Sequence, residues 1–220
     1  MRHRMLFVVA ISAIVGAAAV AQDAEYALRD YMPGTVGSTW SLLPTGETGR
    51  AMTMEVLPPQ DVGGQQISPL VTKGADGAIR NGTFQTVDAT GLTIYGTLFN
   101  RGQQGGQAAG GPTTIAYDPP AKFPGALKVG QSASATFKSA MRGQPADVTM
   151  TVTLAAVESV TVPKGTFADC LKIVTTTTFG QGQMTRTAWY AKGVGTVKME
   201  RQGRNGQINI SELVDYKLAE

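Results

Sequence analysis

The chain has 220 residues, with 19 Lys and Arg against 16 Asp and Glu for a formal charge of +3. Charged residues make up 16%, below the roughly 25% of an average globular domain, and there is one His and one Cys. The single His is His3, in a segment that reads as a removable leader, so the remaining chain lacks an imidazole. That excludes Ser-His-Asp and Cys-His nucleophiles and His-ligated metals, and a lone Cys excludes disulfide frameworks and four-thiolate sites.

Residues 1–21 carry the marks of a secretory signal. Arg2 and Arg4 form a basic start, Leu6 to Val15 an apolar core, and Ala19-Val20-Ala21 a small-x-small site, with cleavage expected after Ala21. A minimal membrane anchor is the competing interpretation of the same run. No Cys follows it to take a lipid, and the two arginines are not adjacent. Loss of Arg2 and Arg4 lowers the formal charge to +1, so no basic surface argues for nucleic acid. The expected location is periplasmic or secreted, and a single thiol suits an oxidising compartment.

Residues 22–220 suit one β-rich domain. Helical periodicity is confined to a short stretch around Asp23 to Tyr31, ended by Pro33-Gly34. Elsewhere the period is two. Strands are expected over 38–43, then through Met52, Met54 and Val56, then over 66–72, 79–87 and 92–99. The segment 101–112, rich in Gly and Gln, reads as a mobile loop because it cannot bury enough apolar surface to order itself. Its glycines lack the Gly-Lys-Ser/Thr of a phosphate loop.

Ala133, Ala135 and Phe137 share one face of the next strand, and Val148, Met150, Val152 and Leu154 one face of the strand after it, each against a Ser/Thr-rich opposite face. Val162-Pro163-Lys164-Gly165 reads as a type I turn joining 148–162 to 167–179 in a hairpin. The in/out phase breaks at Ala155-Ala156, where a β-bulge restores it. Strands over 185–191 and 195–200 follow, separated by Lys192-Gly193. Asp76-Gly77, Asn81-Gly82 and Asn205-Gly206 are further turn or bulge signals. At the end, Ile208, Ile210, Glu212, Val214, Tyr216 and Leu218 share one phase. Glu212 there is either a buried carboxylate, an edge charge, or a residue turned to solvent by a bulge that brings Leu213 inward. The sum is an all-β fold: an antiparallel, strongly curved sheet forming a half-barrel or barrel of about ten strands.

Two stretches carry a family resemblance. Tyr31-Met32-Pro33-Gly34-Thr35-Val36-Gly37-Ser38-Thr39-Trp40 gives a Tyr-x-Pro…Gly-x-x-Trp pattern. Val162-Pro163-Lys164-Gly165-Thr166-Phe167 with Cys170-Leu171-Lys172 is followed by Trp189-Tyr190-Ala191-Lys192-Gly193-Val194-Gly195. The pairing resembles exported bacterial β-rich families that bear domain-of-unknown-function labels. The resemblance implies a bent antiparallel sheet similar to the half-barrels of lipoprotein carriers, and no particular activity.

The candidate ligand-binding residues are Trp40, Met52, Met54, Phe137, Met150, Trp189 and Tyr190, aromatic and thioether side chains on apolar strand phases. Gly37 stands one residue further from Trp40 than in the Gly-x-Trp start of lipocalins, which favours Trp40 as a barrel plug. Trp189 or Tyr190 is expected to lie over Gly193 and Gly195. Met52-x-Met54 could present two thioethers to Cu(I) but continues into Val56 as a core face does, and no metal or cofactor is expected. Cys170, without a base, reads as filler. The acids form no motif, so no catalytic residue is assigned; carboxylates distant in sequence can still pair, which leaves a carboxylate-based hydrolase as a third reading. The expectation is a non-catalytic exported protein that holds a lipid, acyl chain or other hydrophobic small molecule on a concave sheet face, the alternative being an envelope-protein interaction module with a fully packed core.

Overall fold

A computed structural model describes residues 23–45, 51–100, 111–140, 144–203 and 206–220. The expected leader at 1–21 and most of the Gly/Gln segment lie outside the described residues. The chain begins with β1 (Glu25–Ala27), a 3-10 turn (Leu28–Asp30), β2 (Thr39–Pro44), β3 (Met52–Val56), β4 (Gln60–Val62), β5 (Gln65–Ile67) and β6 (Pro69–Lys73). It continues through β7 (Ile79–Val87), β8 (Gly91–Phe99), β9 (Thr113–Pro124), β10 (Ala126–Lys128) and β11 (Ser132–Ser139). The last strands are β12 (Ala146–Val162), β13 (Gly165–Phe179), β14 (Gly182–Ala191), β15 (Gly195–Gln202) and β16 (Ile208–Lys217).

Twelve of these strands close into an antiparallel barrel in the order β11-β12-β13-β14-β15-β16-β2-β3-β6-β7-β8-β9. The β4–β5 hairpin and the β1–β10 pair stand outside the ring. Closure falls between β9 and β11, where Lys138 opposite Asp118 is the registered pair. Pro119 and Pro120 follow Asp118 and have no N–H to extend that ladder. β9 also leaves the β8 ladder there, passing from Ala116 opposite Gly96 to Ala121 opposite Ile94. The excursion carries Tyr117 onto Phe137 of β11, ring centroids 4.0 Å apart and 20° from parallel, so a stacked pair reinforces the seam.

Inside and outside follow the period of two. On the solvent face, Ser132–Thr153, Ser134–Thr151 and Thr136–Thr149 join hydroxyls across β11 and β12 at 2.7, 2.8 and 3.1 Å. On the other face Phe137, Val148, Val152 and Leu154 are buried. The bulge expected at Ala155 is present: Leu154 pairs with Ile173 and Ala156 with Lys172. A second shift follows between Glu158 and Val160, opposite a stretch where Asp169 has φ 51°. These irregularities bend the β12–β13 hairpin. Its tip reaches β16, where the Lys164 N–H donates to the Leu213 carbonyl at 3.0 Å and its Nζ to Asp215 at 2.6 Å.

Three expectations need correction. The stretch Asp23–Tyr31 is not a helix. Glu25–Ala27 instead pairs with β10, leaving one 3-10 turn in which the Tyr31 and Met32 N–H groups both bond the Leu28 carbonyl; one turn before Pro33 is too short to propagate. The C-terminal phase is also different. Ile208 is 64% exposed, and Ile210 and Glu212 share the outer face by pairing with Glu200 and Lys198. Leu213 is the buried residue, and a bulge between Leu213 and Asp215 returns Tyr216 to the inner side opposite Trp40. Finally, Asn81-Gly82 is strand, with the irregularity one residue earlier, since Lys73 pairs with Ile79 and Thr72 with Asn81.

The core has three parts. The largest fills one end of the barrel, where Leu28, Tyr31 and Leu127 pack on Leu92, Ile94, Phe123, Leu154 and Leu171. A second joins Trp40, Leu42 and Met54 to Val160, Val162, Cys170 and Leu213 near the curled hairpin. The third lies outside the wall, where Val62 and Ile67 of the β4–β5 hairpin cover Phe84 and Leu98. Close approach there depends on Gly96: a Cβ would run into the Ile115 carbonyl oxygen and sit 2.9 Å from Val62 Cγ2. Cys170 is fully buried, and burial pushes its thiol up to about 11.

Two outcomes follow from this packing. Gly96→Val should lower the denaturation midpoint by the equivalent of about 1–3 kcal/mol; an unchanged midpoint would show that the hairpin does not seat on the wall. Cys170 should resist a disulfide exchange reagent in the native protein at mildly alkaline pH and react fully in denaturant.

Candidate ligand-binding lumen

The inner face of the ring is apolar on β8, β12 and β13 and becomes polar toward β7 and β14. Leu92, Ile94, Met150, Val152 and Ile173 bound a hollow of about 130 Å³ completed by Thr97, Tyr117, Thr175, Arg186 and Tyr190. A smaller one of about 50 Å³ lies beside it, between Trp40, Met54, Leu70, Gln85, Arg186 and Tyr190. A third, about 470 Å³, opens between the Met32–Thr35 segment and the edges of β5, β6 and β7, lined by Val56, Ile67, Leu70 and Val87 together with Gln66, Ser68, Gln85 and Thr86. Met32 and Gln85 border all three. The borders of the outer hollow and the inner two thus meet at a flexible thioether and an amide, and Pro33 and Leu70 are shared with the smaller inner one as well.

Local chemistry explains how Met32 comes to stand there. The 3-10 turn anchors Leu28 in the core, Pro33-Gly34 prevents a helix from continuing, and the chain crosses the barrel end on its way to β2. The crossing is fastened on its far side, where the Gly193 N–H donates to the Asp30 carbonyl at 2.7 Å and Lys192 Nζ lies 3.3 Å from Asp30 Oδ2.

The predicted site residues divide into groups. Trp40, Met54, Met150 and Tyr190 line the inner hollows. Met52 is on the same strand phase, half-buried, beside the second core. Phe137 stacks behind Tyr117 and forms wall. Trp189 points to the opposite side of β14: its Nε1 donates to Glu158 Oε1 at 2.6 Å, and Lys172 and Lys198 stand 5.1 and 5.0 Å from its ring centroid. The aromatic ring over the glycine turn is Trp40. It donates to the Val194 carbonyl at 2.7 Å, and a Cβ on Gly195, whose φ is +100°, would come within 3.0 Å of its indole nitrogen.

Met32, Gln85, Tyr117 and Arg186 line the hollows as well and are not among the residues expected from the sequence. For Arg186 a signal was present, because it shares the phase of Ala188 and Tyr190 and so faces inward, an arginine on an apolar face. Arg201 lies directly opposite it on β15. The neighbouring carboxylates Glu200 and Glu212 belong to the outer face, 3.5 and 4.0 Å from Lys198 Nζ. Arg186 Nη2 meets only the Met199 sulfur at 2.9 Å, a weak acceptor, and its buried Nε has no hydrogen-bond partner. Partial desolvation and then the Arg186 charge lower the Arg201 guanidinium to about 10, although Arg201 is exposed and borders neither inner hollow. Burial likewise pushes the Tyr117 hydroxyl up to about 12. Among the described residues, no group of three or more His, Cys, Asp or Glu is placed to hold a metal ion.

Comparison with known proteins gives limited likeness. No curated protein matches the chain. Two solved structures are similar: a candidate lipoprotein from Parabacteroides distasonis, 17% identical over 84% of this chain and 97% of that one, TM-score 0.45, and a candidate exported protein with YmcC-like fold from Bacteroides fragilis, 14% identical over 86% and 99%, TM-score 0.47. Residues 119–213, from the middle of β9 into β16, match a family model described as DUF3108-like.

Proposed function

We propose that this is a non-catalytic exported protein that takes a hydrophobic ligand, a lipid or acyl chain, into the end of its barrel. The observation that carries the proposal is the junction at Met32 and Gln85, where a hollow of about 470 Å³ meets two inner hollows. That outer volume lies within the roughly 300–1,000 Å³ of small-molecule sites. Its apolar border, Val56, Ile67, Leu70 and Val87, suits methylene groups. Export is supported by the signal-like start of the sequence. Absence of catalysis is supported by the buried, high-pKa Cys170 and by a lone imidazole confined to His3.

An interaction module built on a fully packed core is the competing function, and the three hollows weigh against it. The ligand would arrive past the Met32–Thr35 crossing and displace the Met32 side chain, an unbranched group that moves at low cost.

Protein purified from its native compartment should carry extractable lipid visible by native mass spectrometry, and the delipidated protein should bind a fluorescent acyl probe. Met32→Trp fills the junction and should abolish probe binding, while Met32→Ala should retain it. Protein free of lipid, indifferent to the probe and able to pull down a defined envelope protein would replace the carrier with the interaction module.

A further inference from the structure

We infer that the ligand is amphipathic and anionic, its negatively charged head drawn inward to Arg186, whose positive field Arg201 reinforces from across the ladder, and its apolar chain trailing past Met32 to the outer hollow. This rests on the binding function proposed above and adds the chemical class of the ligand. The two arginines oppose each other across β14 and β15, so their side chains share the inner face of the sheet. Like charges in that arrangement destabilise a sheet, and Glu200 and Glu212 face away on the other side of the wall. Arg186 borders both inner hollows. Its guanidinium is incompletely satisfied, with a thioether contact for Nη2 and no partner for Nε, and a buried donor left so costs free energy until an acceptor arrives. A planar carboxylate or a phosphate at Arg186 supplies that acceptor and offsets the repulsion from Arg201 across the ladder.

Geometry sets the direction of the ligand. The inner hollow beside Arg186 is about 130 Å³, room for a head group and the first few methylenes, whereas the outer hollow of about 470 Å³ has the space for a longer chain, with Val56, Ile67, Leu70 and Val87 set among Gln66, Ser68, Gln85 and Thr86. The tail therefore lies outward along Leu70, Ile67 and Val87, and the head inward. Tyr190, bordering the same inner hollows, offers a hydroxyl to the head.

The test uses dansyl-labelled undecanoic acid and its methyl ester with delipidated mature protein. The wild type should bind the acid roughly 10- to 100-fold more tightly than the ester. Arg186→Met should bring the preference for acid over ester close to one, Arg201→Gln should reduce that preference less, and Arg186→Met should not lower the melting temperature of the ligand-free protein, since it removes the like-charge pair. Displacement of the acid probe by laurate or by dodecyl phosphate, and not by dodecanol, supports the anionic head and identifies it as carboxylate or phosphate. Equal affinity for acid and ester in the wild type overturns the anionic head and leaves acyl binding standing; failure to bind either removes both. An Arg186→Met protein that melts lower and loses the ester as well would make Arg186 a structural residue and overturn the inference.

Discussion

A ring of twelve strands encloses more space than its own inward side chains can fill. About eight strands is the width that side chains pack solid. Every other feature of this molecule can be understood as a response to that surplus. The segment from Leu28 to Thr35 is laid across one end, Leu28, Tyr31 and Leu127 enter the core there, and the β12–β13 hairpin is bent until its tip bonds to β16. Among the described residues, hollows remain after these fillers, and three of them share Met32 and Gln85 in their borders.

The bending is written into backbone irregularities, not into loops. Shifts at Ala155, at Ser159, beside Tyr190 and at Val214 each let one wall change direction without losing its hydrogen bonds. They also decide which residues face inward. Tyr216 reaches Trp40, and Glu212 stays outside beside Lys198, only because one residue between them is left out of the ladder. An inserted residue in a two-period element inverts everything after it, so the placement of the inner chemistry depends on these few positions.

That dependence explains what was legible in the sequence. Strands with clean alternation, β11 to β15 above all, were readable together with the turn at Pro163-Lys164 and the bulge at Ala155, because a broken phase in a long strand has one cheap repair. β9 was not readable: its two adjacent prolines argue against a strand, and its role at the seam is set by a partner far along the chain. β1 and β10 are three residues each and too short to show a period. Among the candidate residues, Trp40, Met54, Met150 and Tyr190 reached the hollows because apolar phase and inner face coincide on their strands. Trp189 did not, since the neighbour of an inward residue faces outward, where lysine stems and a carboxylate meet its ring beside buried residues of the second core. Met32 and Gln85 belong to a crossing and to a bulged strand, where no period applies.

The two indoles of this chain are nearly equally buried, 3% and 4% exposed, yet they inhabit opposite sides of one wall. Trp40 borders the inner space through a neutral ring whose N–H is given to a carbonyl, while Trp189 sits outside among two ammonium groups and an acid. The protein thereby contains two intrinsic fluorophores in contrasting settings, one at the border of an inner hollow and one ringed by charge on the outer side.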